Sequence, residues 1–215
     1  MEARSHGIIC RIRRYGETSL IVHWITEESG RIATMAKGAR RPKSAFAGRL
    51  DLFVEADISF ATNQRSDLHN LREVAVVHRW DKLSTDFQAL ELASCVVHEL
   101  ELVTEQDTPL DGVYPLFREF LVTVDRDGPK PRLLLSWEVR LLQLMGVDPV
   151  EEASALPEAA QSLMGRLGGM PWDELHLLAA SGPAVKMVIQ FLASRFAAHF
   201  GKVPKGRSEL FENHR

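Results

Sequence analysis

Between residues 31 and 50 the chain carries six Lys/Arg (Arg31, Lys37, Arg40, Arg41, Lys43 and Arg49) and no acid, four of them in the run Lys37-Gly38-Ala39-Arg40-Arg41-Pro42-Lys43-Ser44. Clustered cationic groups of this kind bind phosphates and gain from the counterions that binding releases. A merely solvated loop mixes its signs, so the missing acids point to a polyanion. Arg13 and Arg14 lie upstream and join the same set of polyanion-binding candidates. Gly38 and Gly48 let the backbone turn sharply or come close to a ligand. Binding of a single strand also calls for aromatic stacking. Tyr15 and Phe46, in loops, are the candidates for that; Trp24 and Phe60 share strand faces with Val22 and Ile58 and read as core.

Other chemistries lack their residues. Neither a Gly-x-x-x-x-Gly-Lys-Ser/Thr nor a Gly-x-Gly-x-x-Gly occurs, so nothing marks a nucleotide-cradling loop. His98-Glu99 opens like a metalloprotease motif but has no second His four residues on, and there is no Cys-x-x-Cys. The acidic groups Glu27-Glu28, Asp125/Asp127 and Glu151-Glu152 fall at turns or helix starts, where solvation and helix dipoles favour carboxylates without any acid-base chemistry. The expectation is a protein that is not an enzyme and uses no cofactor and no metal.

The positive charge is local. Residues 1–50 hold ten Lys/Arg against four acids, whereas the whole chain of 215 residues has 26 against 29 and a net charge of -3. A basic module joined to a part with another role is the reading. With 45% hydrophobic residues the chain can bury a real core unaided. Cys10 and Cys95 sit in apolar stretches and are expected to be reduced and buried. With no signal-peptide pattern and no run of ~18 apolar residues, the expectation is a soluble cytoplasmic protein without membrane contact.

The elements that must hold the basic loop follow from periodicity. Residues 6–14 and 19–26 alternate as a hairpin, residues 31–36 form a third strand, and 50–61 and 68–77 form two more. Five short strands in about 80 residues predict a small barrel, with the OB-fold the commonest five-stranded choice. Beyond Trp80 the period changes to about 3.6. Helices are predicted over 87–103, capped by Ser84 or Asp86, and over 111–124, 132–145, 157–167, 171–180 and 183–200. The third of these is apolar nearly all round, as the central helix of a bundle is. The fold class is thus α+β: an N-terminal OB-fold barrel over residues 1–79, then an α-helical bundle over 80–215.

Several segments together resemble the bacterial recombination mediator family RecO. They are Arg-Tyr-Gly-Glu-Thr-Ser (Arg14 to Ser19), Thr26-Glu27-Glu28-Ser29-Gly30-Arg31, the Lys37 to Ser44 run and Gly48-Arg49-Leu50-Asp51-Leu52-Phe53. The similarity continues loosely through Trp137-Glu138-Val139-Arg140-Leu141-Leu142-Gln143-Leu144-Met145-Gly146-Val147-Asp148-Pro149 and Lys205-Gly206-Arg207-Ser208. The resemblance implies an OB-fold and a helical domain, binding of single- and double-stranded DNA and annealing of complementary strands. It also implies cooperation with RecR to load RecA onto strands coated by single-stranded DNA-binding protein, in the RecFOR pathway at the nucleoid. Many RecO relatives carry a cysteine-rich zinc site after this Pro; here Val150-Glu151-Glu152-Ala153-Ser154-Ala155-Leu156-Pro157 has no Cys or His, so zinc is not expected.

Two function classes follow. In the first, the barrel and its loop track the phosphate backbone as a mediator. In the second, the chain is a protein-interaction adaptor whose helical half takes an acidic, apolar-ended tail, such as the C-terminus of single-stranded DNA-binding protein, in a groove rimmed by Arg132, Arg140, Lys186 or Arg195.

Overall fold

The computed structural model describes residues 2–63 and 65–212. Five strands, β1 (Glu2–Tyr15), β2 (Ser19–Thr26), β3 (Gly30–Ala36), β4 (Glu55–Ala61) and β5 (Leu68–His78), close a barrel in the order β1-β2-β3-β5-β4. The β3 and β5 strands pair in parallel and all other neighbours antiparallel, which is the OB-fold. Closure depends on β1. Its first half pairs with β4 and its second with β2, and a register shift between Ile9 and Arg11 lets the strand bend from one partner to the other.

Alternation places Ile9, Val22, Trp24, Ile32, Ile58, Phe60, Leu71 and Val74 inside. The one polar demand of that core is met locally: the Trp24 indole N–H donates to Thr34 Oγ1 at 2.8 Å, and the Thr34 hydroxyl donates to the Val22 carbonyl at 3.3 Å. The β4 strand begins later than alternation predicts. Residues 51–54 instead form a turn in which Phe53 takes φ 62° and its N–H donates to Ile9 O at 2.8 Å, tying the end of the basic loop to the bend of β1.

The compact unit built on the barrel runs to Asp81 and also takes in Thr104–Pro115, a strap that returns from between two helices. Gln106 bridges in parallel to Arg31 on β3, two residues before β5 joins that edge at Ala33. Around that bridge Gln106 Nε2 donates to Asp67 O at 2.6 Å, His69 Nε2 meets Asp107 Oδ1 at 2.9 Å, and Arg31 donates to the hydroxyl and carbonyl of Thr104 at 3.1 and 2.8 Å. Gly30, at φ +68°, must be glycine, because a Cβ there would lie 2.1 Å from Thr108 O.

The other unit, Lys82–Val103 with the chain from Leu116 on, is helical. In chain order the helices are α1 (Asp81–Thr85), α2 (Phe87–Val103), α3 (Val113–Asp127), α4 (Pro131–Leu144), α5 (Pro149–Glu152), α6 (Glu158–Gly169), α7 (Gly182–Phe200) and α8 (Arg207–Glu212), with 3₁₀ turns at Ala153–Ala155 and Trp172–Leu177. Asp86 caps α2, accepting from Gln88 N at 2.8 Å and Ala89 N at 3.3 Å. Every residue from Leu133 to Val139 in α4 is buried, as expected of a central helix. α6 lies close against it, since a Cβ on Gly168 would stand 3.0 Å from Val139. The segment predicted as a helix over 171–180 is instead a short 3₁₀ helix, Trp172–Leu177, that ends at Leu178 in an extended conformation. No helix of the described residues is long and apolar enough to cross a membrane. Both cysteines are buried, and neither is in a disulfide.

Candidate nucleic-acid interface

One end of the barrel gathers most of the sequence-predicted bases. The register Arg13↔Ile21↔Met35 and Arg14↔Leu20↔Ala36 brings the end of β1 beside the exit of β3, from which the basic loop departs. The loop does not wander: Arg41 N donates to Gly38 O, Ser44 N to Arg41 O, Ala47 N to Ser44 O and Arg49 N to Phe46 O, all at 3.0–3.1 Å, a chain of successive tight turns. Its start is pinned to the β1–β2 turn. Arg40 N donates to Thr18 O at 2.9 Å and the Arg40 guanidinium to Glu17 O at 2.8 Å. Its far end is pinned by the Arg49 guanidinium on Val74 O at 3.0 Å.

Within this frame Arg13, Arg14, Lys37, Arg41 and Lys43 are exposed and carry no side-chain hydrogen bond or ion pair among the described residues. Arg40 keeps part of its guanidinium for a ligand. Five free cations on a pinned scaffold make a preorganised polyanion surface. Arg31 is not part of it. It lies at the opposite end of β3, roughly 16–17 Å of strand away, and its guanidinium is taken up by Thr104 of the strap. The aromatic candidates divide as well: Tyr15 is 51% exposed beside Arg14, whereas Phe46 is half-buried against the barrel core.

On the helical unit the four predicted partner-binding bases separate. Arg140 donates to Ser136 Oγ and to the Met170 carbonyl and lies over the Trp172 ring at 4.5 Å, so it is structural. Arg195 pairs with Glu152 at 2.7 Å and covers Phe191. Arg132 and Lys186, in contrast, line a pair of adjoining grooves of about 260 and 740 Å3 that share Pro131 and Val185. Leu135, Leu163, Leu167 and Leu178 make the floor of the smaller, and Lys130 stands at its rim. Lys130 escaped the sequence reading although it sits in Pro129-Lys130-Pro131, where a helix start must present its first residues outward.

Beneath these grooves is a buried ionic cluster. Arg207 forks onto both oxygens of Glu138, at 2.5 and 2.9 Å, and also donates to Ile189 O. Glu99 accepts from the Trp137 indole at 2.8 Å and is held well above the usual carboxylate range, first by burial and then by Glu138 beside it. The same burial raises the Cys95 thiol far above its ordinary value, which removes it from thiolate chemistry. Among the described residues no group of three or more His, Cys, Asp or Glu is arranged to hold a metal ion.

An OB-fold with a cationic loop, followed in the same chain by a helical unit, is a modular build whose charge suits a polyanion. Residues 1–80 match the family described as recombination protein O N terminal. The DNA repair protein RecO of Rhodopirellula baltica is 29% identical over 193 residues, covering 83% of this chain and 71% of the relative. RecO of Syntrophus aciditrophicus is 24% identical over 156 residues and RecO of Anaeromyxobacter dehalogenans 28% over 153, in each case covering 60% of the relative. The chain thus spans about three-fifths of the length of these last two. The match to the RecO N-terminal family thus covers the barrel, and the likeness to RecO proteins extends over most of the chain.

Proposed function

We propose that this protein is a DNA-binding mediator of recombinational repair, in which the barrel of residues 1–79 holds nucleic acid and the helical residues 80–215 engage protein partners. The carrying observation is the set of free cations, Arg13, Arg14, Lys37, Arg41 and Lys43, held on a pinned loop and strand end within a RecO-type domain. Nothing in that surface reads bases; it neutralises phosphates, and Tyr15 offers a stacking face. Such a surface binds single- and double-stranded DNA without sequence preference and favours annealing by relieving repulsion between strands. It needs no catalytic group and no cofactor. The work falls in the cytoplasm, at the nucleoid, with RecR as co-mediator and RecA as the protein loaded.

The test is a salt titration of fluorescent single-stranded DNA against the wild type and a triple variant, Arg40→Glu, Arg41→Glu and Lys43→Glu. Each phosphate contact removed should lower the slope of log affinity on log salt by about 0.7 on single strands and about 0.9 on duplex. A folded triple variant with the wild-type slope would remove the loop from the interface.

The adaptor reading is favoured by the paired grooves of the helical unit. Their apolar floor and the bases Lys130, Arg132 and Lys186 suit a peptide with an apolar end and acidic body, the chemistry of a single-stranded DNA-binding protein tail. Arg132→Glu with Lys186→Glu should weaken binding of such a peptide in fluorescence anisotropy and leave naked-DNA affinity in place. Equal loss of both would make these bases part of the DNA track.

A further inference from the structure

A loop that presents cations at fixed spacing must be held at both of its ends. In the closed order β1-β2-β3-β5-β4, β5 stands opposite the β1–β2 hairpin, and residues 37–54 cross the end of the barrel between those two rims. Ala39, Phe46 and Leu50 seat the crossing against the core. At the near rim Arg40 grips the β1–β2 turn through its N–H on Thr18 O and its guanidinium on Glu17 O.

The far rim is held by a reciprocal clasp. Arg49, from the loop, donates to the Val74 carbonyl of β5 at 3.0 Å, and Arg79, the residue after β5, donates to the Gly48 carbonyl of the loop. Two adjacent loop residues are thus gripped from opposite directions. Among the described residues β3 pairs with β5 only at 33–35 and 68–70, so beyond residue 70 the edge of β5 toward β3 has no strand, and the loop is what fastens there. Gly48 takes φ +68°, and a Cβ on it would meet nothing within 4 Å, so its glycine serves the backbone turn and not a close approach. Neither clasp arginine stands with the free cations, which lie at the end of β1 (Arg13, Arg14), at the exit of β3 (Lys37) and on the crossing itself (Arg41, Lys43). Arg49 belongs to the sequence-predicted binding set; Arg79 does not, and no local signal marks it.

We propose that Arg49 and Arg79 are positioning residues of the polyanion site: they act through Arg41 and Lys43, whose spacing the clasp fixes, and do not themselves contact phosphate. An unclasped loop loses its conformational freedom at every binding event, which weakens affinity, whereas a clasped loop has lost it on folding. The proposal rests on the reading of the loop as a DNA surface and divides its arginines by role.

The experiment is a salt series of fluorescent single-stranded DNA on the full chain, with hydrogen exchange measured on the same samples. Arg41→Gln is the control for a phosphate contact and should lower the slope of log affinity on log salt by about 0.7. Arg49→Gln with Arg79→Gln should weaken binding about fivefold or more at fixed salt, yet keep the slope within about 0.3 of the wild type. Exchange should quicken at the Ser44 and Ala47 amides, which close the tight turns, while the melting temperature stays within about 3 °C. Gly48→Val disturbs the same clasp without touching any charge, because a β-branched residue resists positive φ; it should weaken affinity at the wild-type slope too. If the double variant melts early, Gly48→Val and Arg79→Gln alone carry the test. A slope lowered by about 1.4 in the double variant would make both arginines phosphate contacts and overturn the proposal. Quickened exchange with wild-type affinity overturns it as well, since the clasp would then be structural only. A wild-type slope in Arg41→Gln overturns the loop reading instead, and is told apart because that variant leaves the clasp intact.

Discussion

Five basic residues at the loop end of the barrel and three of the helical unit do opposite things. In the barrel, Arg13, Arg14, Lys37, Arg41 and Lys43 stand in solvent and no group in the fold needs them. In the helical unit Arg140, Arg195 and Arg207 are committed to carbonyls, rings and carboxylates, and Arg132 is partly so, through Leu175 O and His176 O. A cation on an exposed loop keeps its hydration at no cost, so nothing forces the fold to supply it with partners. A cation on a helix that packs on its neighbours is carried into them, and survives there only if its donors are met. Charge in the first region is therefore available to a ligand, and charge in the second mostly holds the bundle together.

The largest effect that would sharpen this contrast is at Arg207. Arg207→Ala leaves Glu138 buried without its partner and should cost the helical unit about 3–5 kcal/mol in urea unfolding. Arg207→Met with Glu138→Leu should restore most of it, and DNA affinity should follow neither change. A matching loss of DNA affinity in the single variant would break the comparison. In the barrel the corresponding lesion is backbone: Gly30→Ala should cost at least about 1–2 kcal/mol from the left-handed conformation alone, with the clash on Thr108 added. Thermal melting reads it, and an unchanged midpoint would detach the strap from the barrel.

Smaller effects separate the two regions by pH. Glu99 keeps its proton in the fold well above the ordinary 4.5, chiefly because it is buried and then because Glu138 is near, whereas the unfolded chain releases it near 4.5. The folded state then binds the extra proton, so stability is full below that value and declines as pH rises toward the raised one. Glu99→Gln should flatten the decline in melting temperature that sets in as pH rises above 4.5. His6 acts in the same sense on the barrel and more weakly, being partly exposed. Burial opposes its charge, but the hydrogen bonds to Asp57 and Glu55 outweigh it and raise its pKa above 6.5. Its stabilisation is complete below 6.5 and fades as pH climbs through the raised value. His6→Gln should remove that fading; a variant melting curve with the wild-type pH dependence would show that the His6 pairs do not matter to the fold.

The barrel was legible because strand period, turn residues and the basic run are local signals. Trp24 and Phe60 could be placed in the core from alternation alone, and both are there. The helices over 87–103, 132–145 and 183–200 were equally plain from their period. Three short helices, α1, α5 and α8, were not, since one or two turns give no period to read. The strap was hidden for another reason. Its residues look like a linker, and contacts such as the Gln106 bridge to Arg31 and the carbonyl of Thr108 against Gly30 reveal that they complete a sheet edge more than 70 residues upstream. The fates of Arg31 and Arg140 were hidden likewise, because a guanidinium in sequence gives no sign of the carbonyl it will meet.

The strap also bears on the order in which the chain is made and folded. Strands β1 to β5 are complete by His78, yet the upper edge of β3, the Asp67 turn and the Glu55 carboxylate, which accepts from Tyr114 at 2.8 Å, all wait for residues 104–115. On a ribosome adding about 5–20 residues per second, that interval lasts on the order of seconds, after the last strand and before the strap. During it the growing protein presents an open sheet edge, the kind of surface that nascent-chain chaperones hold.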